Sequence, residues 1–153
     1  MPSTPDASDL TAHLGYWLRY VSNHVSQTFA RKVETHGATV AEWVLMRQLL
    51  DEEALAPSRL AERMGMTRGA ITKLADRLIA KSLLTRKADP GDGRVQTLAL
   101  TVKGRRLVPE LAALADVNDA EFFDHLAPDD RAVLLRILRG IVEKRGLKSM
   151  PVN

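Results

Sequence analysis

Residues 65–101 read GMTRGAITKLADRLIAKSLLTRKADPGDGRVQTLALT, and this stretch decides the fold. Gly65 suits the left-handed backbone that stops a helix, and the Thr67 hydroxyl can accept from the free N–H groups of a new one, so a tight turn is expected at Gly65-Met66-Thr67. Beyond it Ala70, Ile71, Leu74, Leu78 and Ile79 recur at helical spacing and leave Arg68, Gly69, Thr72, Lys73, Asp76, Arg77 and Lys81 on other faces. The spacing predicts a helix over about 67–81, apolar on one side and basic on the other. Leu83 to Lys87 and Val95 to Leu100 then read as two strands of a wing over about 83–100, joined through the turn formers Pro90, Gly91 and Gly93 with Arg94 at the tip. A turn, a basic amphipathic helix and a basic β-hairpin in succession make a winged helix-turn-helix.

Upstream, Pro57 is placed to open a helix as its first residue, and Leu60, Ala61 and Met64 face inward until Gly65 stops it. Thr39 and Glu42 have capping-box spacing, which predicts a helix to about Leu50 with Trp43, Val44, Met46, Leu49 and Leu50 on its core face. The winged region as a whole is expected over 38–101. Before it, Leu10, Leu14, Trp17, Leu18, Val21, Val25, Phe29 and Val33 predict a long helix within 9–37. After it, Thr101 can cap a fifth helix that Pro109 should bend, and Pro128 opens a last one that ends at Gly146, so that 102–147 is helical. Residues 1–8 and 148–153 read as tails, the first expected to be disordered. The fold class is mainly α with a small β-hairpin wing. The first and last helices carry more apolar surface than a winged motif needs, which calls for a partner surface.

The 153 residues, 45% hydrophobic with no cysteine, suit one soluble domain without disulfides, and a thiol-based redox switch is excluded. The start Met1-Pro2-Ser3-Thr4-Pro5-Asp6 has no signal-peptide character and no apolar run could span a membrane, so a cytoplasmic location without membrane contact is expected. The net charge of +3 is unevenly spread: residues 59–106 carry +8, the remainder −5, and residues 110–130 hold seven acids and no Lys or Arg. Such a distribution gives one side suited to a polyanion and one that repels it. The sequence contains no His-Glu-x-x-His, no Gly-x-Ser-x-Gly and no phosphate-binding Gly-rich loop, so no enzyme, cofactor or metal site is expected.

The block Gly65-Met66-Thr67-Arg68-Gly69-Ala70-Ile71-Thr72-Lys73-Leu74, with Asp76-Arg77-Leu78, Arg86, Asp92-Gly93-Arg94 and Leu98-Ala99-Leu100-Thr101-Val102-Lys103-Gly104, resembles the MarR family of bacterial transcriptional regulators. Two positions depart from that pattern: Ser82 stands where the family usually has Gly, and Ala56 where it often has a capping Ser or Thr. The resemblance implies a homodimer whose terminal helices interdigitate, acting on a pseudo-palindromic double-stranded operator, most often as a repressor. It also implies release by a small aromatic or anionic ligand. A winged helix that binds protein or RNA is the competing reading.

A recognition helix reads bases with side chains near its N-terminus, which nominates Arg68, Thr72 and Lys73, with Gly69 allowing close approach. Ser58, Thr67, Arg77, Arg86 and Lys87 fall to phosphate contacts, although Arg77 is equally suited to an ion pair joining helix to wing. Arg94 is expected in a minor groove, and the family pattern makes Asp92 its brace. For an effector, His13, Trp17, Trp43 and Arg47 offer aromatic faces and a cation, against the reading that both Trp are core and Arg47 is solvated.

Overall fold

The computed structural model describes residues 6–148. A short 3-10 turn at Leu10–Ala12 precedes six α-helices and one hairpin: α1 Leu14–Glu34, α2 Val40–Leu50, α3 Pro57–Met64, α4 Arg68–Ala80, β1 Leu84–Ala88, β2 Gln96–Leu100, α5 Val102–Phe123 and α6 Pro128–Arg145. The tail expectations for 1–5 and 149–153 lie outside the described residues.

Local chemistry explains where the helices begin. Thr39 and Glu42 close a full capping box on α2: the Thr39 hydroxyl accepts from the Glu42 N–H, and the Glu42 carboxylate accepts from the Thr39 N–H. Thr67 caps α4 by accepting from the Ala70 N–H at 3.1 Å, and Thr101 caps α5 by accepting from Gly104 at 3.0 Å. Pro57 and Pro128 open α3 and α6, each behind an alanine that supplies no side-chain cap.

Four of the six α-helices, α1, α3, α4 and α6, end in one pattern. Gly37, Gly65 and Gly146 stand at positive φ, and the residue after each donates its N–H five residues back, to Val33, Ala61 and Val142. Helix α4 ends the same way, with Leu83 N–H donating to the Leu78 carbonyl, but the residue in the left-handed position is Ser82, at φ 62°. The departure from the family pattern read at Ser82 therefore falls on a site where the backbone demands what glycine supplies.

The strands pair antiparallel from Leu84 with Leu100 to Ala88 with Gln96, one residue later at their starts than the spacing predicted. A third contributor went unread: Leu55, before α3, exchanges both backbone hydrogen bonds with Leu98 and ties the motif's entrance to the wing. The core lies between α2, α3, α4, the hairpin and α5, with Leu45, Met46, Leu49, Leu60, Met64, Ile71, Leu78, Leu98, Val108 and Leu111 at 1% exposure or less. On α2, Leu45 takes the central place while Trp43, Val44 and Leu50 are only half-buried against the core, a correction to the expected face. Helix α5 runs through Pro109. Helix α6 buries none of its residues, and it meets the chain through an Arg131–Asp119 ion pair at 2.7 Å and an apolar cleft beside Phe123 and Leu126.

Candidate nucleic-acid interface

At the start of α4, Arg68, Gly69, Thr72 and Lys73 are all exposed. Arg68 and Lys73 donate to nothing among the described residues, so both cations face solvent free of an internal acceptor. Thr72 donates its hydroxyl proton to the Arg68 carbonyl at 3.0 Å. Its hydroxyl thus has no proton for a base acceptor, while its methyl remains for apolar contact, the kind a thymine methyl accepts. The Thr67 hydroxyl accepts from Ala70, which leaves its own proton to donate. Ser58 is exposed in the first turn of α3, beside N–H groups that no side chain caps.

The wing tip is shaped by two carboxylates. Asp89 accepts from the Gly91 and Asp92 N–H groups, and Asp92 accepts from both the backbone N–H and the Nε of Arg94, at 3.1 and 3.3 Å. Gly91 and Gly93 do not use positive φ, and the Asp89 carboxylate closes the turn that follows Pro90. Arg94 extends into solvent with 93% of its side chain exposed. Lys87 is exposed on the same hairpin.

The ion pair joining helix to wing exists, but its partners differ from those expected: Arg86 on β1 pairs with Asp76 on α4. Arg77 turns the other way, reaching Glu42 Oε1 and the Thr39 hydroxyl, both at 3.3 Å. Glu42 is fully buried and also receives Lys81 Nζ on both oxygens at 3.0 Å, while the same ammonium donates to the Gly37 carbonyl at 2.8 Å. Burial by itself would raise the Glu42 pKa, but the Lys81 ammonium and the Thr39 N–H outweigh it and hold the carboxyl below its ordinary value. This anchor for the back of the recognition helix was missed. The capping-box spacing named Glu42, yet nothing in a linear sequence announces that residues 77 and 81 converge on it.

The four residues nominated for an effector are not gathered into a described cavity. His13 stands before α1 without capping it, and Trp17 is 49% exposed, its indole N–H donating to the Thr11 carbonyl at 2.9 Å. Trp43 packs against the core, and Arg47 pairs with Asp51 one turn on at 3.0 Å. The larger described cavity, about 650 Å³, has none of them in its walls. Among the described residues no group of His, Asp or Glu is placed to hold a metal ion, and no helix is long and apolar enough to cross a membrane.

Residues 38–95, from the start of α2 to the wing, match the MarR family model. Across 96% of its length the chain is 27% identical to the HTH-type transcriptional repressor MdtR of Bacillus subtilis, covering 85% of that protein. The PcaV transcriptional regulator of Streptomyces coelicolor, solved in complex with its natural ligand, superposes with a TM-score of 0.75 at 27% identity, over 91% of this chain and 98% of that one. BpsR of Bordetella bronchiseptica shares the fold at TM-score 0.77 and 24% identity, over 89% of this chain and 97% of its own. The likeness to these regulators extends through both terminal helices, and the match to the MarR family model falls on the turn, the basic helix and the wing.

Proposed function

We propose that the protein works as a two-fold homodimer that binds a pseudo-palindromic operator in duplex DNA and represses a promoter, with a small aromatic or anionic effector releasing it. The observation that carries the DNA reading is the free basic rim: Arg68, Lys73 and the Arg94 tip project from one winged unit, and only the last has an internal partner. In this reading Arg68, Gly69, Thr72 and Lys73 meet base edges, Ser58, Thr67, Arg77, Arg86 and Lys87 meet phosphates, and Arg94 enters a minor groove braced by Asp92. Arg77 and Arg86 act from fixed positions, since each is held by a carboxylate of its own chain.

Dimerisation is supported by α6, where Val133, Leu134, Leu135, Ile137, Leu138, Ile141 and Val142 are each 37–46% exposed. So continuous an apolar surface on a helix without a covering layer fits a second copy. Repression is supported by the likeness to the repressor MdtR, and effector release by the ligand held in PcaV. His13, Trp17, Trp43 and Arg47 would then need the second protomer to close a site around them.

A mobility shift with the chain's own promoter region at two salt concentrations tests the reading, followed by footprinting. The expected result is salt-dependent, site-selective binding with two protected half-sites whose centres lie ~10 base pairs apart, as two recognition helices of a two-fold dimer require. A monomer in solution that protects a single half-site, or no selective shift at all, would sink it.

A further inference from the structure

Among the described residues the buried polar side chains are Glu42, Thr97 and Asn118. Glu42 backs the recognition helix and Thr97 donates to the Lys87 carbonyl within the hairpin, whereas Asn118, 3% exposed on α5, serves neither. Its amide is held by α1 at both ends: Nδ2 donates to the Val25 carbonyl at 3.1 Å, and Oδ1 accepts from the Lys32 ammonium at 3.0 Å. A carbonyl that only accepts and an ammonium that only donates admit one orientation of that amide. Lys32 also donates to Glu121 Oε2, about one turn further along α5, at 2.8 Å. Val25 and Lys32 stand about two turns apart on α1, so the cross-link grips a length of helix rather than a point.

We propose that Asn118, clamped by Lys32, is a positioning residue that locks α1 to α5 and thereby sets the separation of the two recognition helices in the dimer, so that one half-site spacing is accepted and its neighbours are rejected. The proposal rests on the homodimer and operator reading above and names what fixes the geometry of that dimer. Near the winged core the seam between α1 and α5 is apolar, with Val33 and Leu111 buried and Phe29 and Leu114 packed against them. Asn118 is the last buried residue of α5, and α1 buries nothing before Val33. Past that level stand the exposed Leu14, Trp17, Leu18 and Val21 of α1 and the apolar face of α6, the surface a second copy would cover. Apolar packing is non-directional and tolerates small slides of one helix along the other, whereas hydrogen bonds are directional, and a buried polar residue in an apolar seam fixes its register. Locked together, the two helices carry the winged unit as one frame. Unlocked, they would let the winged units of a dimer take a range of separations.

The test reads a distance without DNA and a preference with it. The chain has no cysteine, so Glu53→Cys, exposed between α2 and α3, gives one spin-label site per winged unit. Pulsed dipolar spectroscopy of the full-length dimer should show a narrow label-to-label distance in this parent, a broadened one in Asn118→Leu and in Lys32→Met, and a narrow one again in Lys32→Arg, which keeps a cation on the amide. The second measurement uses the duplex that footprinting protects, with half-site centres ~10 base pairs apart. One base pair added or removed should cost the unlabelled chain and Lys32→Arg at least ~10-fold in affinity, about 1.4 kcal/mol, and cost Asn118→Leu and Lys32→Met less than ~3-fold. A merely structural amide would lower the urea midpoint and leave the spacing preference alone. Equal spacing preference in all four proteins, or label distances of equal width, overturns the proposal. A parent without dipolar coupling overturns the homodimer reading and this proposal with it. A coupled parent that binds no duplex selectively overturns the operator reading, and the label widths then decide whether Asn118 locks the two helices.

Discussion

Glu42 is the residue on which most of the recognition helix's rear support converges. Its carboxylate is fully buried, caps α2, and receives both Lys81 and Arg77 from α4. Because its folded pKa is depressed, the stabilisation it provides is fully present above its unfolded value, ~4.3, and is lost as the pH falls through the depressed folded value. Glu42→Gln should destabilise the protein at pH 7 by on the order of 2 kcal/mol, the scale of charge-assisted hydrogen bonds, and should flatten the acid limb of a stability-versus-pH curve below about pH 5. Urea midpoints across that range check both, and an unchanged acid limb would show that the carboxylate carries no such load. Ser82 poses the opposite case. Its left-handed backbone costs a non-glycine residue ~1–2 kcal/mol, partly offset because glycine is freer in the unfolded chain. Its side chain is exposed and only its backbone is used: its N–H donates to the Ile79 carbonyl at 2.9 Å and its carbonyl accepts from the Thr101 hydroxyl at 2.7 Å. Ser82→Gly should therefore stabilise by roughly 0.5–1 kcal/mol, read as a higher urea midpoint at unchanged slope.

The wing is the element whose proposed role is most exposed to test. Arg94 is almost wholly solvated and held in direction only by Asp92, so its removal should leave the fold alone. Arg94→Ala should weaken operator binding by ~1–3 kcal/mol and lower the magnitude of the salt slope by about one, without change in oligomeric state. Unchanged affinity and salt dependence would make the hairpin a structural flap. The same element shows how far sequence reaches. Capping threonines, opening prolines and stop glycines are read from neighbours within five residues, so Thr39, Thr67, Pro57, Gly65 and Gly146 located helix ends closely. Contacts between distant residues leave no such local mark. The Leu55–Leu98 bridge, the Asp76–Arg86 pair and the turn of Arg77 and Lys81 toward Glu42 all join segments that only the assembled core brings together. At the wing tip the turn formers Pro90, Gly91 and Gly93 were legible, while the Asp89 carboxylate that shapes the turn was not.

For the whole molecule, the proposed dimer rests on α6, and two charges there should undo it. Leu138→Asp with Ile141→Asp, on side chains 39% and 45% exposed in the single chain, should raise the dimer dissociation constant by at least ~100-fold, about 2.7 kcal/mol. Sedimentation should then show a monomer that keeps its helical content, because none of α6 contributes to the core. A double variant that stays dimeric would place the interface elsewhere. The acidic 110–130 segment would repel a polyanion, as the proposed division between a DNA surface and a dimer surface requires. One link between them is rigid. A Cβ at Gly104 would overlap the Leu83 carbonyl oxygen, the Thr101 N–H donates to that oxygen at 3.1 Å, and Arg105 donates to the Leu50 and Glu52 carbonyls, so the first turn of α5 is seated directly on the winged core. From that seat α5 runs 22 residues, ~33 Å at the usual rise per residue. It is a pointer with its pivot at one tip: a swing of roughly 6° displaces the far end by ~3.4 Å, the rise of one base step, so a tilt of a few degrees is enough to carry a reading head out of phase with the duplex.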